Sequence, residues 1–254
     1  MSRIRQVAAL VRRSPLHPQW LLGRRRPDEA VGQLHGRVLD VGCADRWIEA
    51  HCPYGIQYIG LDYPATGKTL YSARPDLFAD ATRLPLPDAS VDAVLCFEVL
   101  EHLLDHQAAL EQFSRVLKPA GTLLLSMPFL YPVHDAPHDY QRLTEFGLKR
   151  DLSRAGFKVI RLEKIGHAMR ATGLLTCLAL VGGLHTKARW IDFIRMPFAA
   201  IGVLLVNLAS AGLATVLPDW DAIGTGYMIE AVKLSSDPPE RGPPGAERQD
   251  PSNG

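Results

Sequence analysis

The 254-residue sequence lacks the features that mark several specialised classes of protein. Its four cysteines form no Cys-x-x-Cys pair and are too sparse for a disulfide framework, which fits a reducing compartment. The formal net charge is only +1, from 28 basic and 27 acidic residues, which excludes a disordered acidic or basic chain and a uniformly positive nucleic-acid binder. With 47% hydrophobic residues, the chain predicts one sizeable globular domain, or one domain with an insertion.

The two ends of the chain differ from this average composition. The first 26 residues contain seven arginines and no acid, with Ile4, Val7 and Val11 at helical spacing between them. Because the arginines interrupt every apolar run, this is not a secretory signal; it is either a solvated basic helix or one that lies on an anionic membrane surface. Residues 235–254 hold five prolines, three glycines and almost no apolar side chain, which predicts a disordered tail.

Between the ends, apolar runs rich in Val, Leu and Ile alternate with helix-length stretches or turns. This alternation predicts β-α-β units and an α/β fold with a mostly parallel sheet covered on both faces, and such sheets bind ligands at the carboxyl ends of their strands. Thr144 is the predicted N-cap of the last helix. The predicted strands are Arg37–Gly42, Gln57–Leu61, Val91–Phe97, Gly121–Met127 and Phe157–Leu162; the stretches between them are Asp45–His51, His106–Leu117 and Thr144–Ala155.

The residues that follow the predicted strands indicate an adenosine pocket. Gly42 permits a sharp turn and a close backbone approach, but Ala44 occupies the second glycine position of the Gly-x-Gly-x-x-Gly dinucleotide fingerprint, which is therefore absent. Asp62 ends the second strand about 20 residues later, the separation expected for a carboxylate that accepts both ribose hydroxyls. Asp80 follows a short third strand and can accept a hydrogen bond from an adenine amino group.

From about Arg37 to Leu162 the sequence resembles the class I S-adenosylmethionine-dependent methyltransferases. The resemblance rests on Val-Leu-Asp-Val-Gly-Cys, Tyr-Ile-Gly-Leu-Asp, Glu-Val-Leu-Glu-His-Leu and Arg-Val-Leu-Lys-Pro-Ala-Gly, in that order. It implies a Rossmann-like sheet of seven strands with helices on both faces, S-adenosylmethionine as the cofactor, and methyl transfer. The cofactor-binding residues it implies are Asp40, Gly42 and Cys43 against the methionine part, Asp62 at the ribose, Asp80 and Ala81 at the adenine, Phe97 and Glu98 beside the methionine end, and Ala44 and Tyr63 next to these.

Two positions depart from the family pattern, which usually has glycine where this chain has Ala44 and Arg46. Alanine is expected to be tolerated if its φ is negative. Arg46 brings a like charge toward the sulfonium unless it points away or pairs with Asp45 or Glu49. These departures keep open an altered cofactor pocket, or a non-catalytic adenosine-binding protein.

The loop after the fifth strand, residues 127–142, is the predicted acceptor site. His134 and His138 have pKa values suited to a general base, Asp139 can orient a histidine, and Tyr140 and Arg142 can line the site, so these five are the predicted catalytic residues. The alternative is that His138, Asp139 and Arg142 form a hydrogen-bond network that fixes the loop. A metal site of His134, Asp135, His138 and Asp139, with His102 and His106, is a third reading; because Pro137 interrupts any helix that would align the two loop histidines, we predict no catalytic metal.

An apolar block lies between this core and a last predicted strand, Gly224–Lys233. Ala171–Thr186 and Met196–Pro218 contain no Asp, Glu, Lys or Arg, and the 20 residues of Phe198–Leu217 are long enough to span a bilayer. The first segment is short for a span and the linker is basic, which opposes a transmembrane hairpin. Neither the short first segment nor the basic linker argues against a helical hairpin that is embedded in only one leaflet. The alternatives are that the block forms a lid over the acceptor site or a dimer interface.

The predicted organisation is a basic helical segment (1–30), a methyltransferase core (31–165), an apolar helical insertion (166–222), the last strand (223–234) and a tail (235–254). We predict methyl transfer to a hydroxyl or similar group of a lipid, lipid-linked or other small-molecule acceptor.

The protein is expected in the cytoplasm, attached to the inner face of the membrane through residues 171–217 and the basic N-terminus. The alternatives are a soluble enzyme with a lid or homodimer interface, and a non-catalytic binder. No nucleic-acid partner is expected, because Phe97-Glu98-Val99-Leu100 stands where base methyltransferases carry Asn/Asp/Ser-Pro-Pro-Tyr/Phe.

Overall fold

The computed structural model describes residues 13–23, 29–67, 73–184 and 189–234. Within these ranges seven strands form one sheet, and four helices are longer than one turn. The strands are β1 Arg37–Val41, β2 Gln57–Asp62, β3 Leu77–Phe78, β4 Val91–Phe97, β5 Leu117–Pro128, β6 Phe157–Ile165 and β7 Gly226–Lys233. The helices are α1 His106–Val116, α2 Glu145–Arg154, α3 Ala168–Gly182 and α4 Arg189–Val216; short helical turns lie at Trp20–Leu22, Glu29–Gln33, Glu49–His51, Pro64–Thr66 and Leu100–His102.

The strand order is β3-β2-β1-β4-β5-β7-β6, which confirms the predicted Rossmann-like fold class. Strands β1 to β5 pair in parallel, and β7 runs antiparallel between β5 and β6. The order reverses between β1 and β4, the place where ligands bind in open α/β sheets.

Alternation along the central strands places a hydrophobic core on each face of the sheet. In β4, Val94 and Cys96 pack with buried residues of α1 and α2, while Ala93 and Leu95 pack with Val31 and other residues on the opposite side. A strand buried on both faces reads as a continuous apolar run, which is why the sequence located β4 correctly.

The predicted N-cap Thr144 is confirmed, and Asp45–His51, predicted as a helix-length stretch or turns, differs from α1 and α2 in containing no α-helix. The Thr144 hydroxyl accepts a hydrogen bond from the Gly147 N–H at 3.2 Å, as expected of the N-cap of α2. Asp45–His51 forms turns and a 3-10 turn and no α-helix. The positive φ angles of Ala44 (45°) and Arg46 (59°) explain the difference, because they are incompatible with a right-handed helix starting there.

Helices α3 and α4 form the predicted apolar insertion before the last strand. The buried stripe of α4 contains Val203, Asn207 and Ser210, and the Asn207 amide donates hydrogen bonds to the carbonyl oxygens of Pro15 (2.6 Å) and His17 (3.0 Å). Residues 13–23 are therefore tied to the hairpin, and they contain a 3-10 turn where the sequence predicts a basic helix. The rest of that predicted helix, at residues 1–12 and 24–28, and the predicted tail 235–254 lie outside the described residues.

The opposite face of α4 carries large apolar side chains that are exposed. Phe193, Phe198 and Leu205 have 74%, 73% and 61% of their surface exposed. Over Phe193–Val216 the mean hydropathy is 2.0, and among the described residues this is the one helix whose length and composition would allow it to cross a membrane. Asn207 and Ser210 are buried while these large apolar residues are exposed, the reverse of a helix on the surface of a soluble domain.

Candidate active site

A cavity of about 710 Å³ opens at the carboxyl ends of β1, β2 and β4. Its walls come from the strand ends and from the loop after β5, so residues distant in sequence meet there. Of the predicted site residues, those that line the cavity are Gly42, Ala44, Asp62, Tyr63, Asp80, Ala81, Phe97, Glu98, His134, His138 and Tyr140; those that do not are Asp40, Cys43, Asp139 and Arg142.

The turn after β1 depends on backbone in the left-handed region. Gly42 has a φ of 75°, and a Cβ built there would lie 2.3 Å from Cγ2 of Val99, so only glycine fits. Ala44 has a φ of 45°, which corrects the expectation that alanine is accommodated by a negative φ. The strained turn brings the Ala44 N–H within 2.9 Å of the Asp62 carboxylate, to which it donates a hydrogen bond.

Replacing Ala44 with glycine is expected to raise the free energy of unfolding by about 1 kcal/mol, because it removes the steric cost of a side chain at positive φ. Urea unfolding measures the change. The matched control is Ala155→Gly, at a position with a φ of −81°, where the same replacement should lower stability. A decrease in stability at position 44 would contradict the account of strain.

Asp62 is held at the end of β2 by two backbone donors. Its carboxylate accepts hydrogen bonds from the N–H groups of Ala44 (2.9 Å) and Tyr63 (2.8 Å). Burial raises the pKa of this carboxyl, and the two hydrogen bonds oppose that rise. Each carboxylate oxygen retains a lone pair for a further donor, as two ribose hydroxyls would require.

Arg46 points away from the cavity. Its Nε lies 2.8 Å from Oε2 of Glu49 and its Nη1 lies 3.0 Å from Oδ2 of Asp76. The guanidinium carbon is 4.8 Å from the ring centroid of Tyr58, so the cation is also stacked on an aromatic face. The anticipated like-charge conflict with a sulfonium therefore does not arise.

Asp40 and Cys43 do not line the cavity, and their contact with the cofactor stays a prediction. The Asp40 carboxylate accepts a hydrogen bond from the Tyr58 hydroxyl. Cys43 is 2% exposed, and burial raises the pKa of its thiol to about 12. Both side chains contact residues of β2, namely Tyr58 for Asp40 and Gly60 for Cys43.

Asp139 and Arg142 fix the acceptor loop and do not line the cavity. Arg142 Nη2 lies 2.7 Å from Asp139 Oδ2, and its charge and hydrogen bonds lower the pKa of Asp139 to about 2. Asp139 also accepts a hydrogen bond from the His134 N–H at 2.9 Å. These contacts favour the loop-fixing reading for both residues, although the network includes His134 where the sequence suggested His138. His138 instead places Nδ1 3.3 Å from the Tyr140 hydroxyl.

The cavity wall is acidic. Among the described residues that line it there is no lysine or arginine, and the carboxylates are those of Asp45, Asp62, Asp80, Glu98, Asp105 and Asp135. A cavity with this balance of charge favours a ligand with a net positive charge.

Glu101 is a residue that the sequence reasoning missed. It lies within the quoted motif Glu98–Leu103, is fully buried, and neither carboxylate oxygen has a hydrogen-bond partner among the described residues. Burial, and next the charge of Glu98, raise the pKa of Glu101 to about 8. The signal in the sequence was an acid in the first turn after a buried strand, beside His102, which lines the cavity.

Comparisons with known proteins agree with this geometry. Residues 39–125 match a family described as "Methyltransferase domain". A probable S-adenosylmethionine-dependent methyltransferase of Mycolicibacterium smegmatis is 34% identical over 138 residues, or 48% of this chain and 52% of that protein. The O-methyltransferase rstn1 of Aspergillus nomiae is 35% identical over 164 residues, or 56% of this chain and 73% of that protein. The chain belongs to the class I S-adenosylmethionine-dependent methyltransferases.

The solved structures add support for the methyltransferase fold. A methyltransferase from Archaeoglobus fulgidus has a TM-score of 0.53 at 19% identity, covering 89% of this chain and 99% of that one. The chain spans about half the length of the curated relatives it matches, for example 52% of the mycobacterial protein.

The family's cofactor, S-adenosylmethionine, fits the residues present in this methyltransferase cavity. The free form carries a sulfonium, an ammonium and a carboxylate, hence a net positive charge, which matches the acidic wall without lysine or arginine. Asp62 can accept from the ribose hydroxyls through its remaining lone pairs. Asp80 already accepts hydrogen bonds from the N–H and hydroxyl of Thr82 through Oδ1, which leaves Oδ2 for an adenine amino group. These binding roles remain predictions.

Proposed function

We propose that the protein transfers a methyl group from S-adenosylmethionine to a hydroxyl oxygen of a lipid or lipid-linked acceptor at a membrane surface. The observation that carries methyl transfer is the acidic cavity at the strand ends, lined by Asp62 at the end of β2, in a chain of this family. The related O-methyltransferase supports oxygen as the acceptor atom.

The loop after β5 supplies the groups that would hold and deprotonate the acceptor. Bound S-adenosylmethionine supplies an electrophilic methyl carbon, and the protein has to align the acceptor oxygen in line with the bond that breaks. His134, His138 and Tyr140 line the cavity at this end. A neutral imidazole here accepts the hydroxyl proton as the new carbon–oxygen bond forms. Asp139, through its contacts with the backbone and ring of His134, keeps that histidine in place.

The exposed apolar face of α4 supports a membrane-bound acceptor. Water is an unfavourable environment for Phe198 and Leu205 at 73% and 61% exposure, and the acyl boundary of a leaflet would cover them. The seven arginines of the first 26 residues add attraction to anionic lipid, and the sparse cysteines fit the cytoplasmic face.

A chain of contacts connects this hairpin with the acceptor loop. Asn207 of α4 binds the carbonyl oxygens of Pro15 and His17, and the Gln19 amide lies 2.6 Å from the Tyr131 hydroxyl. Tyr131 in turn packs edge-on against His134, with ring centroids 5.3 Å apart. A surface that docks on lipid through α4 would therefore sit next to the place where the acceptor enters.

A labelled-methyl transfer assay tests the proposal. The full chain is incubated with methyl-labelled S-adenosylmethionine and either the lipid extract or the soluble metabolites of the host, with Asp62→Ala as the negative control. We expect label in the organic phase from the lipid extract. Label only in soluble products would favour a soluble small-molecule methyltransferase. A folded protein that binds no S-adenosylmethionine in calorimetry would contradict methyl transfer itself.

A further inference from the structure

The buried carboxylate of Glu101 has no partner within hydrogen-bond distance among the described residues, although the charge of Arg142 acts on it. Its side chain is 0% exposed, and no hydrogen-bond donor among the described residues reaches either oxygen. Burying a carboxylate in this way is strongly unfavourable unless it is protonated or faces a cation. Glu101 does not itself line the cavity, but its neighbours His102 and His134 do, so an ion held by all three would lie between the carboxylate and the cavity.

Two imidazoles face the same carboxylate oxygen. Nε2 of His102 lies 3.6 Å from Oε1 of Glu101, and Nε2 of His134 lies 3.8 Å from it. One ligand atom from each of the three residues can be chosen so that all lie within 4.8 Å of one another. Two atoms that bind one ion at 2.0–2.2 Å are about 3 to 3.5 Å apart, so small side-chain rotations would bring all three into coordination.

The outer nitrogen of each ring is held in the way metal-bound histidines are held. Nδ1 of His102 lies 2.7 Å from the carbonyl oxygen of His138, to which it donates a hydrogen bond. Nδ1 of His134 lies 3.2 Å from Oδ2 of Asp139 and 3.3 Å from the carbonyl oxygen of Pro132. Nη2 of Arg142 lies 3.4 Å from the same nitrogen, so Nδ1 has both acceptors and a donor within reach. The tautomer that binds a metal is the one with the proton on Nδ1, donated to Asp139 or to the Pro132 carbonyl oxygen. Both Nε2 atoms then present lone pairs toward Glu101.

We propose that Glu101, His102 and His134 bind a divalent first-row transition-metal ion at the acceptor end of the cavity. Two imidazoles and one carboxylate form a ligand set that suits zinc or iron(II) and leaves coordination positions open. Because His102 and His134 line the cavity, the open positions face the acceptor. The Asp135 carboxylate, 3.9 Å from Nε2 of His102, can supply a further oxygen. This set replaces the one considered from sequence and revises the expectation of no catalytic metal.

The role of the ion rests on the proposed function. With His134 as a ligand, His138 is the cavity imidazole left to accept the proton of an acceptor hydroxyl bound to the ion. The hydroxyl would lose that proton more readily, because the metal would stabilise the negative oxygen, and the histidine would then release it to solvent. A lone pair of that oxygen forms the new bond to the methyl carbon, and the pair of the breaking carbon–sulfur bond stays on sulfur. The products are the methyl ether, S-adenosylhomocysteine and the released proton, and the metal keeps its oxidation state.

Metal titration of the full chain tests the site. Protein dialysed against chelator is titrated with Co²⁺, followed by its visible absorption, and with Zn²⁺, followed by elemental analysis. We expect about one ion per chain, and at least ~100-fold weaker binding in Glu101→Gln and His134→Gln, since each removes a direct ligand. The matched control is His51→Gln, an exposed histidine on the 3-10 turn Glu49–His51, which should bind metal as the unchanged protein does. Calorimetry with S-adenosylmethionine shows that each variant keeps its cofactor pocket.

Two results would overturn the site: a folded, cofactor-binding protein that takes up none of Zn²⁺, Co²⁺, Mn²⁺ and Fe²⁺, or equal metal affinity in the ligand variants and the control. If Glu101→Gln does not fold, His134→Gln decides, because that ring is on the acceptor loop with 29% of its side chain exposed. A metal-loaded, cofactor-binding protein that methylates nothing contradicts the proposed function and leaves the metal site standing. Methyl transfer without metal binding contradicts the metal site alone.

Discussion

Replacing Asp62 with alanine is expected to weaken S-adenosylmethionine binding by about 100-fold or more. The carboxylate would lose two charge-assisted hydrogen bonds to the ribose, each worth roughly 1.5 to 3 kcal/mol. Isothermal titration calorimetry at neutral pH measures the change, with thermal unfolding as the check that the variant is folded. The effect should be large because the N–H groups of Ala44 and Tyr63 already hold the carboxylate in position. Cofactor binding therefore loses little entropy in ordering this side chain.

The control for this prediction is Asp88→Ala. Asp88 carries a carboxylate that is 77% exposed, pairs with Arg115 and lies outside the cavity, so cofactor affinity should stay within about 2-fold. If Asp62→Ala is unstable, Asp62→Asn keeps the shape of the side chain and tests the charge alone. Affinity that is unchanged in a folded Asp62 variant would show that the ribose position is wrong.

The sheet was largely predictable because its strands are buried on both faces. Val91–Phe97 is apolar apart from Asp92, and its predicted bounds are those of β4. β5 begins at Leu117, four residues before its predicted start at Gly121. These additional residues follow the pairing of Leu117 with Val91, and the register then shifts before Thr122 pairs with Ala93. Hydrophobicity identifies the middle of a buried strand, whereas pairing with a neighbour decides where its hydrogen bonds begin.

The sequence predicts which residues line the cavity where they lie at or just after the end of a strand. It predicts this less well where the direction of a side chain depends on the conformation of the turn. Asp62 and Asp80 line the cavity because each follows a strand whose end faces it. Asp40 lies two residues before Gly42 and on the same face of β1, yet its carboxylate accepts a hydrogen bond from Tyr58 and does not line the cavity. Ala44 adopts a positive φ that propensity alone disfavours, and the contacts around it, including the Asp62 carboxylate, hold it there.

Long-range packing decided the features that the sequence left open. The periodicity of α4 predicts an apolar helix but not which face is covered, and the contact of Asn207 with residues 15 and 17 settles that. In the same way, Glu101 is unremarkable in sequence, and only its burial beside two histidines gives it chemical meaning.

Vesicle binding through α4 is the second large effect that we expect. The full chain should co-sediment with vesicles that contain anionic lipid, and the double variant Phe198→Asp with Leu205→Asp should bind at least ~100-fold more weakly. Burial of each apolar side chain contributes about 1.5 to 3 kcal/mol, and a carboxylate at the same depth is itself repelled. The matched control carries the same two charges at Phe146 of α2 and Ile160 of β6, which are 72% and 54% exposed and lie outside the hairpin.

The same double variant separates the three readings of the insertion. If the unchanged protein binds vesicles and the α4 variant does not, while the control does, the exposed face of α4 is a membrane surface. If the unchanged protein ignores vesicles but sediments as a dimer that the α4 variant dissociates, the face is a subunit interface. If it remains a monomer that ignores vesicles and the variant loses affinity only for the acceptor, the hairpin is a lid. Exposure of Phe198 and Leu205 in an isolated chain is unfavourable in each case, so we expect a membrane, a second subunit or the acceptor to cover them.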